Sequence, residues 1–151
     1  MSKPSIFISY SHKDEKWKDR LVTQLGVLGQ QGKFEVWTDR EIGAGKEWYK
    51  EIEDALGNAS VAMFLVSANS LTSDFILKEE VVRLLKRRDK EGLRIIPIIV
   101  GDCAWQSVDW LARMQARPRD GRPLNAKSVS QRDTALKDIV VEVAQIIARK
   151  K

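Results

Sequence analysis

The chain has 151 residues, 43% hydrophobic and 31% charged, which suits a single globular domain with one buried core and holds no apolar run near the ~20 residues that span a bilayer. Its net charge of +5, from 26 Lys and Arg against 21 Asp and Glu, raises nucleic acid as a partner, yet the basic runs Lys86-Arg87-Arg88, 113–122 and 149–151 interleave no aromatics and read as solvated faces. The lone Cys103 excludes an internal disulfide and fits a reducing cytoplasm; with His12 the sole histidine, a His/Cys metal site is not expected.

In chain order, Ile6-Phe7-Ile8 forms a first strand that hands over to the polar Ser9-Tyr10-Ser11. This strand starts so early that no signal peptide is expected before it. Trp17, Leu21, Leu25 and Leu28 then recur at helical spacing over 14–28, and glycines between 29 and 32 break the helix. Phe34 to Trp37 is a short second strand. A loop with Asp39, Gly43 and Gly45 follows, then a helix bearing Trp48, Ile52 and Leu56. The near-continuous apolar run Val61–Val66 predicts a third strand buried on both faces. Leu93–Val100 predicts a fourth, broken by Pro97. The pattern weakens from Trp110 to Arg132, and a helix over 134–148 closes the chain.

No repeat, low-complexity tract or linker divides the sequence, so residues 1–151 are expected to form one domain. Strands alternating with helices predict a mostly parallel sheet with helices on both faces, and the economical topology is flavodoxin-like. In such sheets ligands bind beyond the carboxyl ends of the strands, where the strand order reverses. Ser9, Tyr10, Ser11, Asp39, Ser67 and Trp105 are expected to gather there. Tyr10, Trp37, Trp48 and Trp105 each read singly as core aromatics more often than as stacking platforms, and four at one edge of the sheet make a shared apolar cleft the stronger alternative. No phosphate-binding glycine fingerprint follows the first strand, and no G-x-S-x-G elbow is present.

The segment 67–88 carries the most chemistry. Ser70 or Ser73 can cap a helix whose first turn holds Asp74. At about 100° per residue, Leu77, Val81, Leu84 and Leu85 make a core seam, while Phe75, Glu79 and Val82 fall on roughly the opposite side. Glu79 reads either as a solvated surface glutamate or as a carboxylate on a helix bordering a cleft.

These residues resemble a Toll/interleukin-1 receptor (TIR) domain of the bacterial type. The resemblance rests on Ile6-Phe7-Ile8-Ser9-Tyr10-Ser11 with Asp14, on Val36-Trp37-Thr38-Asp39, and on the loop Ile42-Gly43-Ala44-Gly45 leading to Trp48 and Ile52. It continues through Ala62–Ser67, Ser70, Ser73, Phe75 and Glu79 to Ile96-Pro97-Ile98-Ile99. It implies a five-stranded flavodoxin-like sheet. In enzymatically active members it implies cleavage of NAD⁺ at the nicotinamide–ribose bond, by a glutamate four residues beyond an aromatic on the helix after the third strand. Here that aromatic is Phe75 and the glutamate Glu79, although many members carry Trp-Cys or Tyr-Cys where this chain has Phe75-Ile76. The resemblance also gives NAD⁺ as a substrate, with no cofactor or metal. Tyr10, Ser11, Asp39, Gly43, Gly45, Trp48, Phe75 and Trp105 would line its path.

A single carboxylate suffices for such a reaction. Nicotinamide leaves as a neutral group from a cationic pyridinium and needs no general acid, and the transition state is positive at the ribose, as in glycoside hydrolysis. An anion facing that charge stabilises it electrostatically. The resemblance further implies self-association, with the two-glycine loop of one copy completing its neighbour's site, and a role as an effector in antiphage defence. A sensor domain would be fused beyond the basic segment 148–151, and nucleic acid and membrane would not be direct partners. The rival expectation is a non-enzymatic scaffold that recruits other TIR domains or mimics a host adaptor.

Overall fold

A computed structural model describes residues 3–38 and 48–149, with Trp48 and Tyr49 described by backbone alone. Four parallel strands, β1 (Ser5–Ser9), β2 (Glu35–Thr38), β3 (Ala59–Val66) and β4 (Arg94–Ile99), lie in the order β2-β1-β3-β4. This is the flavodoxin-like order, and it reverses between β1 and β3.

Among the described residues the sheet has four strands rather than the expected five, because a single residue holds the fifth position. Arg117 forms an isolated parallel bridge with Ile98: its amide donates to the Pro97 carbonyl (2.8 Å) and its carbonyl accepts from the Ile99 amide (2.7 Å). Pro118 follows at once and, lacking an N–H, cannot extend the ladder. Pro97 in turn does not break β4, which pairs in register with β3 through Phe64 opposite Pro97. The Pro97 carbonyl faces Arg117, so its missing N–H falls on this sparsely paired outer edge.

Helices α1 (Glu15–Gly29), α2 (Trp48–Asn58), α3 (Ala68–Leu71), α4 (Val82–Glu91), α5 (Asp109–Ala112) and α6 (Val129–Arg149) complete the described structure with short helical turns. Period-two alternation divides the strand side chains between two layers. Ile6, Ile8, Tyr10, Val61, Met63 and Leu65 pack with α1 and α6, whose Leu21, Leu25, Val140 and Val143 are buried. On the other face, Phe7 and Ala62 meet Ile52 and Leu56 of α2 and Leu84 of α4. Phe64, Val66 and Ile99 meet Ile76, Val81 and Leu111 farther along that face. The terminal helix starts five residues before its predicted beginning, and helices α1 and α2 fall where the spacing placed them.

The segment after β3 departs from the regular helix predicted for it. Ser67 caps the short α3: its side chain accepts from the Ser70 amide, and Ser70 answers at the Ser67 amide. Residues Ile76–Val81 are then wound as a π-helix before α4 begins at Val82. The wider i→i+5 winding changes which residues face the sheet. Ile76, Glu80, Val81 and Leu84 are buried, Leu77 and Leu85 are half-buried, and Val82 is exposed. Arg87 anchors α4 by donating from one guanidinium nitrogen to the carbonyls of Leu56 (2.8 Å) and Ala59 (2.6 Å), near the end of α2.

Candidate active site

The chain places two adjacent glutamates in unlike surroundings. Glu80 is completely buried, and the hydroxyl of Ser9, the last residue of β1, donates to its Oε1 at 2.6 Å. Glu79, the residue designated by the count of four from Phe75, points elsewhere. It is half-buried, ion-paired to Arg83 one turn on at 2.8 Å, and lines a groove of about 520 Å³ between α2 and α4 with Glu53, Lys86 and Arg87.

The π winding explains the difference. On a regular helix a residue five beyond Phe75 turns away from the cleft. With i→i+5 winding over 76–81, Glu80 and Val81 both reach the sheet face, and the carboxylate of Glu80 meets the carboxyl end of β1.

A second polar network lies at the same end of the sheet. Asp14, in the turn before α1, is 6% exposed. It accepts from the hydroxyl of Ser67, the residue after β3, and at 3.0 Å from the Asn69 amide. Ser67 thus joins the turn after β1 to the start of α3. The two networks sit beyond β1 and β3, at the point where the strand order reverses and open α/β sheets bind ligands.

The other predicted site residues are dispersed around this edge. Tyr10 does not line it: the side chain is completely buried and lies in the opposite layer, between the sheet and α1/α6, because Ser9 rather than Tyr10 alternates toward Glu80. Ser11 caps the helical turn His12–Asp14, its hydroxyl accepting from the Lys13 amide at 3.3 Å. Phe75 and Trp105 are half-buried and border one apolar cluster with Phe64, Val66 and Val81. Trp37, a third of its surface exposed, lies on β2 beside α2. Asp39, Gly43 and Gly45 lie outside the described residues, as does the side chain of Trp48. Burial pushes the Cys103 thiol up, which disfavours the thiolate form.

Sequence reasoning weighs Glu80 as a neighbouring candidate and sets it aside because a regular helix turns it about 100° away from Phe75; it does not find Ser9 as its partner or the Asp14–Ser67 pair. A signal for Glu80 was present: Ile76, Glu80 and Leu84 recur at intervals of four, so the carboxylate sits in line with buried apolar residues.

The TIR domain family matches residues 6–135. The chain belongs to that family. A relative from Sinorhizobium fredii (strain NBRC 101917 / NGR234), the uncharacterized protein y4lF, is 39% identical over 121 residues. The match covers 80% of this chain and 37% of that protein, so the chain spans little more than a third of the relative's length. Among solved structures, the RPS4 and RRS1 TIR domain heterodimer is similar over 95% of this chain and 98% of that one, with a TM-score of 0.59 and 14% identity. The TIR domain of the Toll-related receptor TRR-2 from Hydra magnipapillata covers 85% of this chain and 97% of its own, at TM-score 0.55 and 17% identity. The TIR domains of the activated Roq1 resistosome recognizing the effector XopQ match at TM-score 0.53 and 19% identity, over 91% and 84%. At these identities the solved structures speak to the TIR fold. Among the described residues no helix is long and apolar enough to cross a membrane.

Proposed function

We propose that this TIR domain cleaves NAD⁺ at the nicotinamide–ribose bond, with Glu80 rather than Glu79 as the carboxylate that faces the developing positive charge. One observation carries the reading: a completely buried glutamate on a π-wound segment, oriented by Ser9 at the β1/β3 reversal point. A carboxylate withdrawn from water exerts a stronger field on an oxocarbenium-like centre than one in contact with water. Glu79, part-exposed beside Arg83, is of the second kind. Segments of π winding inside helices recur at functional sites, since the extra residue re-aims side chains that a regular helix would turn away.

In the reaction the C1′–N bond of the nicotinamide riboside breaks and its electron pair leaves with neutral nicotinamide. The ribose carries the resulting positive charge opposite the Glu80 carboxylate. Water, or the adenine of the same molecule, then completes the bond at C1′ to give ADP-ribose or its cyclic form. Phe75 and Trp105, which border one apolar cluster with Val81 of the π segment, are the aromatic surfaces that would flank the nicotinamide. NAD⁺ acts as a substrate, not as a resident cofactor.

The domain works in the cytoplasm by self-association, as the effector of a longer antiphage-defence protein whose sensor lies outside these 151 residues. The heterodimeric and resistosome settings of its structural relatives support the association, and the greater length of y4lF supports a further domain.

The test follows nicotinamide release from NAD⁺ by concentrated protein, beside Glu79→Gln and Glu80→Gln. Release that survives Glu79→Gln and is lost with Glu80→Gln is the expected result. Loss with Glu79→Gln alone would overturn the assignment of Glu80. No release by the unaltered protein, even when it is forced to cluster, would favour a scaffold that only recruits other TIR domains.

A further inference from the structure

A groove beside β4 takes no part in the proposed reaction. Arg88, Arg94, Arg113 and Arg117 line about 570 Å³ there, and among the described residues no carboxylate joins them. Four cations gathered without an anion raise a local positive potential. Arg117 is committed to Glu142 of α6, and Arg88 makes one contact of 3.4 Å with Asp89. Arg94, which opens β4, and Arg113, at the end of α5, are exposed and form no ion pair with a described residue. The strand adds a donor of its own. At its far end the Pro97 carbonyl and the Ile99 amide face outward and bond to Arg117. Strand alternation turns the amide of Ile95 to the same edge, where Arg117, bridging Ile98 alone, does not reach it. Ile95 and Met114 give the groove a half-buried apolar wall.

We propose that this groove binds the diphosphate of a nucleotide. A guanidinium presents a planar fork of donors that takes phosphate oxygens two at a time. Arg94 and Arg113, free of ion pairs, each hold one phosphate of the pair, and the Ile95 amide donates to the oxygens between them. The base lies over Ile95 and Met114, whose thioether suits contact with an aromatic ring. A bare anion would leave that apolar wall uncovered. The volume falls in the range of small-molecule sites. The groove runs along the first half of β4, away from the carboxyl ends of β1 and β3 where Glu80 meets Ser9. It is a second site, and it stands independently of the NAD⁺ reading.

Titration with ADP, followed through the amide signals of the isotope-labelled protein by NMR, tests this. The Ile95 and Arg113 amides should move and saturate. Adenosine and inorganic pyrophosphate should each bind at least about tenfold more weakly than ADP. Arg94→Gln and Arg113→Gln should each weaken ADP binding by roughly tenfold. Should either variant fail to fold, Arg94→Lys and Arg113→Lys keep the charge, lose the fork and should weaken binding in the same direction. Ile95 and Arg113 amides that stay in place at saturating ADP overturn the site. Shifts confined to Ser67, Asn69 and Glu80 would put the nucleotide at the candidate active site and overturn the groove while leaving the NAD⁺ proposal standing. Pyrophosphate that binds as tightly as ADP overturns the nucleotide as the ligand.

Discussion

The two faces of the sheet differ in how they meet their helices. On the α1/α6 face, regular helices lay apolar stripes on Ile6, Ile8, Val61 and Met63, and the buried Arg117 lies at the margin, paired with Glu142 of α6. On the opposite face the segment 76–81 winds as a π-helix and carries a buried carboxylate into an otherwise apolar layer. An extra residue per turn is costly to regular hydrogen bonding, and here its visible product is the Glu80–Ser9 contact. One face is built for packing; the other gives up regularity to aim one side chain.

Substitutions can break or sharpen that contrast. The largest expected effect is that of Glu80→Gln, which keeps the shape and removes the charge. Nicotinamide release should fall by about 10²–10³, equivalent to about 2.7–4 kcal/mol, whereas Glu79→Gln should stay within about threefold of the unaltered rate. Next, Asp14→Ala removes the acceptor of Ser67 and Asn69, leaving buried donors unmatched. A loss of about 1–3 kcal/mol in urea unfolding is expected. An unchanged midpoint would show that this end of the sheet is held by packing alone.

A third test uses an ion pair on the packing face as a reference. Arg117 holds the Glu142 carboxyl below its ordinary range. A depressed folded value contributes stability that is present above the unfolded carboxyl value and is lost as pH falls through the folded one. Glu142→Gln should therefore lower the melting temperature near neutral pH, with the difference shrinking as the medium is acidified below about pH 4. A gap that persists at low pH would assign the loss to shape instead of charge. The smallest effect belongs to Arg83→Ala. Its pair with Glu79 is part-exposed and spans one helical turn, so about 0.3–0.5 kcal/mol is expected.

The same contrast explains what the sequence disclosed. Continuous apolar runs identify β1 and β3, which are buried on both faces, and period-3.6 patterns identify α1, α2 and α6, because those elements are regular. Counting at a fixed 100° per residue does not follow the changed winding after Phe75, and so it sets Leu77 in the seam in place of Ile76. The fifth strand was expected from the family, yet Pro118 confines that position to Arg117 alone. Tyr10 reads as a cleft aromatic because it follows β1, but strand alternation turns it into the α1/α6 layer and turns Ser9 toward Glu80. Asp14 and Ser67 stand 53 residues apart, and no local pattern announces a contact that depends on the order in which β1 and β3 pair.

The most direct measurement is a crystal structure of the Glu80→Gln protein soaked with NAD⁺, which the variant should bind without consuming. The nicotinamide ribose is predicted to lie within hydrogen-bond distance of the residue 80 side chain, at the carboxyl ends of β1 and β3. Density for the ribose in the α2/α4 groove beside Glu79 and Arg83 would contradict the account.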